Sequence, residues 1–425
     1  MQKQYFLNLF MMMTILCCCP MTMAQNANND TVAKHASRLT IGGYGEATYQ
    51  YNFYSDNFNR YKFPEQYAGS NGYGRVDLPH AVVMLGYDFG HGWSFGTEIE
   101  FEHGGVEAAV EIEDDEAGEF EKETERGGEV ALEQMWLQKS WSAKANLRMG
   151  HIVVPIGGTN NAHLPNEFFG VFRPEGENTI LPCTWHETGV SFFGRAGDWR
   201  YELQVIPALN SSFFDKASWA NGASASPYEF RSANNLAVAA RVDNHTIPGL
   251  RMSLSGYVGN TFDNDIYTYA GSRYANVKGT VYIGAFDFLG HWGNLTVRGN
   301  ADYGYLSDAY MISAYNSSLD NSSSSPYLHT MVGEQVYALG CEAGYTLGKK
   351  VTPFVRFDAY DSYIPAASQT NYEWTAKQCY AVGVNYRPIP EIVVKAEAGY
   401  RNLAKQYNDE PWVAIGITYA GFFTR

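Results

Sequence analysis

The sequence predicts an all-β chain that closes into a transmembrane antiparallel β-barrel of about 16 strands. Apolar residues alternate with small or polar ones along short segments, long and short connections alternate between those segments, and aromatic residues make up 15% of the chain. Successive side chains of a strand point to opposite faces, so the alternation gives each segment one apolar and one polar face. Membrane-spanning barrels have an apolar outer band, aromatic residues at both interfaces and a polar interior.

The alternation is clearest between Gln378 and Phe423, where small, polar or charged residues separate the members of an apolar set. That set is Tyr380, Val382, Val384, Tyr386, Ile392, Val394, Ala396, Ala398, Tyr400, Val413, Ile415, Ile417 and Tyr419. A soluble sheet can show the same pattern in a few strands, so the decision depends on how far it repeats.

It repeats along the whole chain. The predicted strands are 39–54, 75–89, 92–103, 129–141, 146–154, 186–194, 198–207, 235–243, 250–260, 278–289, 294–306, 334–347, 351–360, 377–387, 391–401 and 411–423. Long connections alternate with short ones such as Gly90-His91 and Pro388 to Pro390. Outer-membrane barrels have short periplasmic turns and long external loops, and a soluble sandwich has no reason to place every long loop at one end.

Residues 1–24 are predicted to be a signal peptide, because Lys3 precedes an apolar stretch and Thr22-Met23-Ala24 ends in small residues. A lipoprotein signal ending at Cys17 or Cys19 is the alternative. We expect residues 25–38 to be a flexible segment and residues 39–425 to form the barrel. The predicted location is the outer membrane of a Gram-negative bacterium, after signal-peptide cleavage.

Composition excludes several classes of protein. The net charge of −15 disfavours nucleic acid as a partner. Beyond the leader only Cys183, Cys341 and Cys379 remain, and their spacing suits neither a disulfide framework nor a metal site. The chain contains no HExxH spacing and no GxSxG elbow between a strand and a helix, so we predict no enzyme, no catalytic residues, no metal and no cofactor.

Charged residues on the polar faces fall into two groups. The predicted basic pore-lining residues are Arg148, Arg200, Arg241, Arg251, Arg298, Arg356, Arg387, Lys395 and Arg401. The predicted acidic ones are Glu46, Glu98, Glu100 and Glu102. Opposed walls of this kind would set up a transverse field across a water-filled pore and select solutes. Alternatively these charges pair with neighbours and select nothing.

The third long connection, 155–185, is too apolar and too rich in proline for a mobile external loop. We expect it to fold into the pore and narrow it; a lid over neighbouring loops and a subunit contact are the alternatives. Its predicted constriction residues are His163, Glu167, Arg173, Glu175 and Glu177. The second long connection carries ten acidic residues between Glu107 and Glu125, enough to hold divalent cations or repel anions, although such a run is usually a solvated loop.

Three stretches around the third loop carry a family resemblance: Arg148-Met149-Gly150, then Val154 to Gly157, then Trp185 to Val190. They are similar to the segments that flank the third loop in phosphate-selective porins of the O and P type. This resemblance implies a trimeric outer-membrane porin that passes small anions, with phosphate gripped by Arg and Lys at the constriction. The chain departs from that pattern because Arg173 is the single Arg or Lys residue of its third loop.

The sequence therefore predicts an outer-membrane porin for passive diffusion of small hydrophilic solutes or ions, with anions such as phosphate as one candidate class. Its expected partners are outer-membrane lipid, the diffusing solutes and two further copies in a homotrimer. One alternative is a non-conducting outer-membrane barrel with an adhesive or structural role, and another is a secreted soluble all-β binding protein.

Overall fold

A computed structural model describes residues 38–104, 130–223, 233–262, 273–318, 331–367 and 369–424. The predicted signal peptide, nearly all of the predicted flexible segment 25–38 and the acidic run 107–125 lie outside the described residues. Everything below refers to the described part of the chain.

The structure consists mainly of β-strands. They are β1 (Leu39–Asn52), β2 (Tyr73–Asp77), β3 (His80–Gly90), β4 (Trp93–Glu102), β5 (Val130–Ser142), β6 (Ala145–Val153), β7 (His186–Ala196), β8 (Trp199–Pro207), β9 (Leu236–Asn244), β10 (Leu250–Asn260), β11 (Thr280–Trp292), β12 (Leu295–Leu306), β13 (Gln335–Tyr345), β14 (Val351–Ile364), β15 (Ala376–Ile389), β16 (Ile392–Asn402) and β17 (Glu410–Thr424). Three α-helices lie in connections: α1 (Pro64–Tyr67), α2 (Glu175–Ile180) and α3 (Ala309–Asn316). No helix of the described chain is long and apolar enough to cross a membrane.

The strands close into one antiparallel barrel. From β3 to β17 each strand pairs with the next along the chain, and β17 returns to β1 in a register that runs from Ile41 opposite Thr424 to Asn52 opposite Trp412. Strands β2 and β3 both pair with β1 and share one position, so the barrel has 16 positions. The predicted 16-stranded antiparallel barrel is confirmed.

Two predicted connections were wrong, both at prolines, and other strand ends differ by up to four residues, as where β14 continues to Ile364 instead of ending at 360. The predicted strand 75–89 is interrupted at Leu78 and Pro79, where β2 ends and β3 begins. Proline lacks a backbone N–H and cannot donate to the ladder, so the chain breaks there. At the other site, 388–390 is not a three-residue turn, because β15 continues to Ile389, which pairs with Ile392 after a register shift.

The two faces differ in polarity as predicted. In β10, Leu254 is 65% exposed and Val258 is 40% exposed on the outer face. Ser253 and Ser255, which flank Leu254, are buried on the inner face together with Arg251. The apolar side chains therefore cover the outside of the barrel, and the polar side chains lie within it.

The third connection, residues 154–185 and called loop 3 below, lies inside the barrel. Its apolar side chains Phe168, Val171, Ile180 and Leu181 are at most 2% exposed. Several belong to a hydrophobic cluster that also contains residues of the other long loops, such as Trp219. The apolar content of loop 3 is thus buried by packing across the barrel interior.

Candidate functional site: the barrel interior and loop 3

Cationic side chains of the barrel wall hold the backbone of loop 3. The ammonium of Lys395 donates to the carbonyl oxygens of Phe168 at 3.0 Å and Gly170 at 2.7 Å, and lies 4.0 Å from the centre of the Phe168 ring. Lys395 is only 1% exposed. Its charge is satisfied by loop 3 rather than presented to water.

Arg356 makes a similar attachment in the neighbouring part of the wall. It donates to the carbonyl oxygen of Phe172 at 3.2 Å and forms ion pairs with Asp358 at 3.2 Å and Glu397 at 3.9 Å. Glu397 in turn accepts a hydrogen bond from the backbone N–H of Val171 at 3.0 Å. Wall and loop are therefore joined by both a cation and an anion at this point.

The start and middle of loop 3 are held in the same way. Arg241 donates to the carbonyl oxygen of Gly157 at 3.0 Å, and Arg298 to that of Glu167 at 3.0 Å. Arg387 donates to the carbonyl oxygen of Asn166 at 2.8 Å. Five of the nine predicted basic residues thus bind loop 3 carbonyls.

Carboxylates of the wall balance these cations. Asp287 pairs with Arg241 at 2.8 Å and with Arg251 at 2.9 Å, and Asp243 also pairs with Arg241 at 2.7 Å. Glu342 lies 3.3 Å from Arg298. This half of the interior, carried by β9 to β16, contains these ion pairs and the loop 3 contacts, and we call it the clamped wall.

Arg401 holds loop 3 through a side chain. Its Nε lies 2.6 Å from the carboxylate of Glu175, which also accepts a hydrogen bond from Tyr360 at 2.7 Å. Burial by itself would raise the pKa of Glu175, but the adjacent Arg401 overrides it and lowers the pKa to about 2. Glu175 is therefore a stable anion, and it is part of the attachment of α2.

The other predicted residues of loop 3 are also held in place. Burial lowers the pKa of His163 to about 4, so its ring is neutral at pH 7, and burial raises the pKa of Glu167 to about 7. Glu177 accepts from the backbone N–H and the hydroxyl of Thr159 at 2.9 and 2.6 Å. Burial nevertheless raises the pKa of Glu177.

Among the described residues, Arg148 and Arg200 form no hydrogen bond or ion pair with loop 3. The Arg148 guanidinium lies 4.3 Å from the ring centre of Trp136 and 5.0 Å from that of Phe193. Arg200 lies 3.3 Å from Glu202 and 3.9 Å from Asp243. Arg148 is enclosed by aromatic rings and Arg200 is paired with carboxylates.

The four predicted acidic residues lie together on the opposite side, on β1 and β4. Among the described residues, Glu98 has no Lys, Arg or His within ion-pair distance, whereas Glu100 and Glu46 approach His80 at 2.6 and 3.7 Å. Glu133 of β5 joins this group and accepts from the Tyr44 hydroxyl at 2.8 Å. We call this group the acidic wall: Glu46, Glu98, Glu100, Glu102 and Glu133.

Sequence reasoning missed His80 and Glu133 as members of this group. Both lie on strands with imperfect alternation, where the break at Leu78 and Pro79 and a register shift beside Ile99 disturb the pattern. Counting inward faces from the regular end of β3 would have placed His80 inside the barrel.

A cavity of about 340 Å³ separates loop 3 from the acidic wall. Glu46, His80 and Glu102 line one side, and Phe172 and Arg173 line the other. Arg173 is held in place by the carbonyl oxygen of Cys183 at 2.7 Å. Opposite charges thus face each other across this space.

A second cavity, bordered by the clamped wall, is much smaller. Its volume is about 20 Å³, and its lining residues include Glu177, Arg251 and Asp287. That volume holds about one water molecule. Of these two cavities, only the one beside the acidic wall has room for a solute.

Solved structures with the same architecture are outer-membrane proteins. The chain aligns with OprB of Pseudomonas putida at a TM-score of 0.54 and 9% identity, covering 90% of this chain and 94% of that one. It aligns with the channel DcaP of Acinetobacter baumannii at 0.53 and 13%, covering 92% and 99%. It aligns with OmpF of Salmonella typhi, solved with daunomycin, at 0.53 and 10%, covering 90% and 97%. At these identities the likeness shows a shared fold.

Sequence comparison adds one relative without a described function. The chain is 25% identical over 372 residues to an uncharacterized protein of Aquifex aeolicus, covering 84% of this chain and 74% of the relative. No family model matches the chain. The resemblance to phosphate-selective porins therefore stays a prediction.

Proposed function

We propose that this protein is an outer-membrane porin through which small hydrophilic solutes diffuse passively, with cations preferred over anions. The observation that carries this proposal is the cavity of about 340 Å³ between loop 3 and the acidic wall. It provides space beside Glu46 and Glu102, two carboxylates of the acidic wall, and charged side chains that line a narrow aqueous path select ions by their sign.

The preference for cations follows from the different pairing of the two walls. Arg241, Arg356 and Lys395 are already bound to carboxylates or to loop 3 carbonyl oxygens. Arg75 and Arg173 line the cavity opposite Glu46 and Glu102. Arg356 and Arg401 also border it but are paired with Glu397 and Glu175. Glu98, Glu100 and Glu133 belong to the acidic wall but do not line the cavity. The preference for phosphate implied by the family resemblance would require more basic groups along this path.

The test is to record channels from the purified, folded protein in planar bilayers and to measure reversal potentials in a KCl gradient. We expect open channels and a reversal potential of the cation-selective sign. The double variant Glu46→Gln/Glu102→Gln removes two carboxylates that line the cavity, so its reversal potential should move toward zero.

The matched control is Glu342→Gln, which neutralises a buried carboxylate beside Arg298 in the clamped wall. It should leave the reversal potential unchanged, as should Arg148→Ala, because Arg148 is enclosed between Trp136 and Phe193. A wild-type preference for anions would refute the proposed selectivity.

The main alternative is a non-conducting barrel with an adhesive or structural role. Buried loop 3 side chains such as Phe168 and Ile180 occupy part of the interior, and this favours the non-conducting alternative. Complete absence of channels from folded protein would support this alternative and reject the porin.

We further propose that the porin is a homotrimer in a Gram-negative outer membrane. OmpT of Vibrio cholerae, solved in a trimer form, aligns with this chain at a TM-score of 0.50 and 11% identity, covering 91% and 100% of the two chains. Native mass spectrometry of protein extracted in mild detergent tests the trimer, and a monomeric mass alone would reject it.

A further inference from the structure

We propose that His80, Glu100 and Glu102 bind a divalent metal ion at the acidic wall, with Glu46 orienting the imidazole of His80. One potential ligand atom from each of the first three residues lies within 4.8 Å of the other two. The site goes beyond a porin role, because the interior of a diffusion channel needs no bound metal.

Strand register explains why these side chains meet. His80 of β3 lies directly opposite Glu102 of β4, and Glu100 is two residues further along the same inner face of β4. On the other side of β3, Gly45 of β1 pairs with Ala81, which brings the next residue, Glu46, beside His80. Three adjacent strands therefore present one imidazole and three carboxylates at one level.

His80 is positioned as a metal-binding histidine would be. Its Nδ1 atom is 2.6 Å from Glu100, and its Nε2 atom is 3.7 Å from Glu46. Histidines that bind a metal through one ring nitrogen usually donate the other N–H to a carboxylate, which fixes the tautomer and the ring orientation. The Nδ1–Glu100 contact is a hydrogen bond, whose shared proton a metal ion would replace. Glu46, at 3.7 Å, would move a few tenths of an ångström to accept from the Nε2 N–H.

An unsatisfied buried oxygen gives independent support. The Glu46 side chain is 7% exposed, and its Oε2 atom accepts no hydrogen bond from the described residues. A buried carboxylate oxygen without a partner is costly. A cation bound at His80, next to Glu46, would compensate the negative charge collected here.

A metal ion can reach the site from the cavity, because Glu46, His80 and Glu102 all line it. Arg173 is the cation facing them from loop 3, and the carboxyl groups of Glu98 on β4 and Glu133 on β5 complete the acidic wall. One imidazole with carboxylate oxygens is a ligand set that suits Zn²⁺ and related first-row ions.

The contrasting explanation is a network in which His80 and the carboxylates share protons and bind no metal. Calorimetric titration of metal-free, detergent-folded full-length protein with Zn²⁺ separates the two. We expect saturable uptake of one Zn²⁺ per chain, and a visible Co²⁺ absorption spectrum with nitrogen and oxygen ligands. No uptake by the wild type would overturn the proposal.

Variants locate the site. His80→Gln and Glu102→Gln should abolish saturable Zn²⁺ uptake, and Glu46→Gln should weaken it about 10- to 100-fold. The matched control is His103→Gln, because His103 is an exposed histidine 2.8 Å from Asp77 at the same end of the barrel. It should bind Zn²⁺ like the wild type, and an equal loss there would reject the assignment.

Heat-dependent gel mobility identifies variants that fail to fold. If His80→Gln and Glu102→Gln do not fold, the weaker Zn²⁺ affinity expected of Glu46→Gln still tests the site. Binding is measured without conduction, so the two proposals fail separately. Channels without Zn²⁺ uptake would overturn only the metal site, and Zn²⁺ uptake without channels would overturn only the porin.

Discussion

The two halves of the barrel interior contain similar residue types and differ in what those residues contact. In the clamped wall, Lys395 and Arg356 are enclosed by carbonyl oxygens and carboxylates of loop 3 and the strands. In the acidic wall, Glu98 has no ion pair among the described residues, and Glu46 lies beside a cavity. Inward-facing charges therefore either bind loop 3 or border the cavity, and the position of loop 3 decides between these two roles.

An inward-facing charge is therefore not equivalent to a pore-lining charge. Seven of the nine predicted cations lie in the clamped wall, and six of these contact loop 3 directly. Arg173 of loop 3 faces Glu46 and Glu102 across the cavity, and the predicted transverse field is now expected there.

The largest expected effect is in the clamped wall. Arg356→Met leaves Asp358 and Glu397 buried without their cation, which should destabilise the barrel by about 3–5 kcal/mol. Thermal unfolding in detergent measures the loss, and single-channel records should show larger or noisier currents as loop 3 loosens. The exposed Arg195→Met is the control, with a change below about 0.5 kcal/mol. Equal stability of the two variants would contradict the clamp.

The Glu175–Arg401 pair should have a characteristic pH dependence. Because the pKa of Glu175 falls from 4.5 to about 2 on folding, its contribution is present above pH 4.5 and lost as the pH falls toward 2. The free energy of unfolding of the wild type should exceed that of Glu175→Gln by about 3 kcal/mol at neutral pH, and this difference should vanish near pH 2. Because His163 and Glu167 titrate in both proteins, their contributions to stability cancel in this difference. A difference independent of pH would reject this assignment.

The fit of loop 3 against the clamped wall can be tested at a glycine. Gly157 has a φ of +77°, and a Cβ added there would lie 1.7 Å from Glu177 Oε1. The control is Gly197→Ala, because Gly197 also has a positive φ, +60°, but open space around it. Gly157→Ala should destabilise the barrel by about 1.5 kcal/mol more than this control. Comparing unfolding temperatures measures the excess, and equal losses would show that loop 3 adapts freely.

The smallest expected effect is in the acidic wall. Glu98→Gln should change stability by less than about 0.5 kcal/mol, because it replaces a buried carboxylate that has no ion pair in the described structure. The matched Glu397→Gln should cost about 1–3 kcal/mol, since Glu397 binds Arg356 and accepts from Val171 and Trp412. Equal costs in the same unfolding assay would remove the distinction between the walls.

Much of the fold was predictable, because strand periodicity is local. Leu254 faces outward and Arg251 inward for a reason visible within five residues of sequence. The break at Leu78 and Pro79 was harder to predict, since a proline can also occupy an edge or a bulge of a continuous strand. That uncertainty also concealed His80.

The contacts of the interior were not predictable in the same way. Lys395 donates to Gly170, which is 225 residues away, and Arg387 donates to Asn166 across 221 residues. No local pattern reports such pairs, and a lysine facing water has the same sequence spacing as a lysine facing a carbonyl oxygen.

The sequence by itself determined the alternation of faces, the number of barrel positions and the sign of each inward charge, because these depend on neighbours along one strand or one hairpin. Only the tertiary structure decided which charges are neutralised and which border open space. The physical reason is that loop 3 can pack against only part of the interior. Where it packs, its carbonyl oxygens and carboxylates replace water around the cations. Where it does not pack, Glu46 and Glu102 border a cavity.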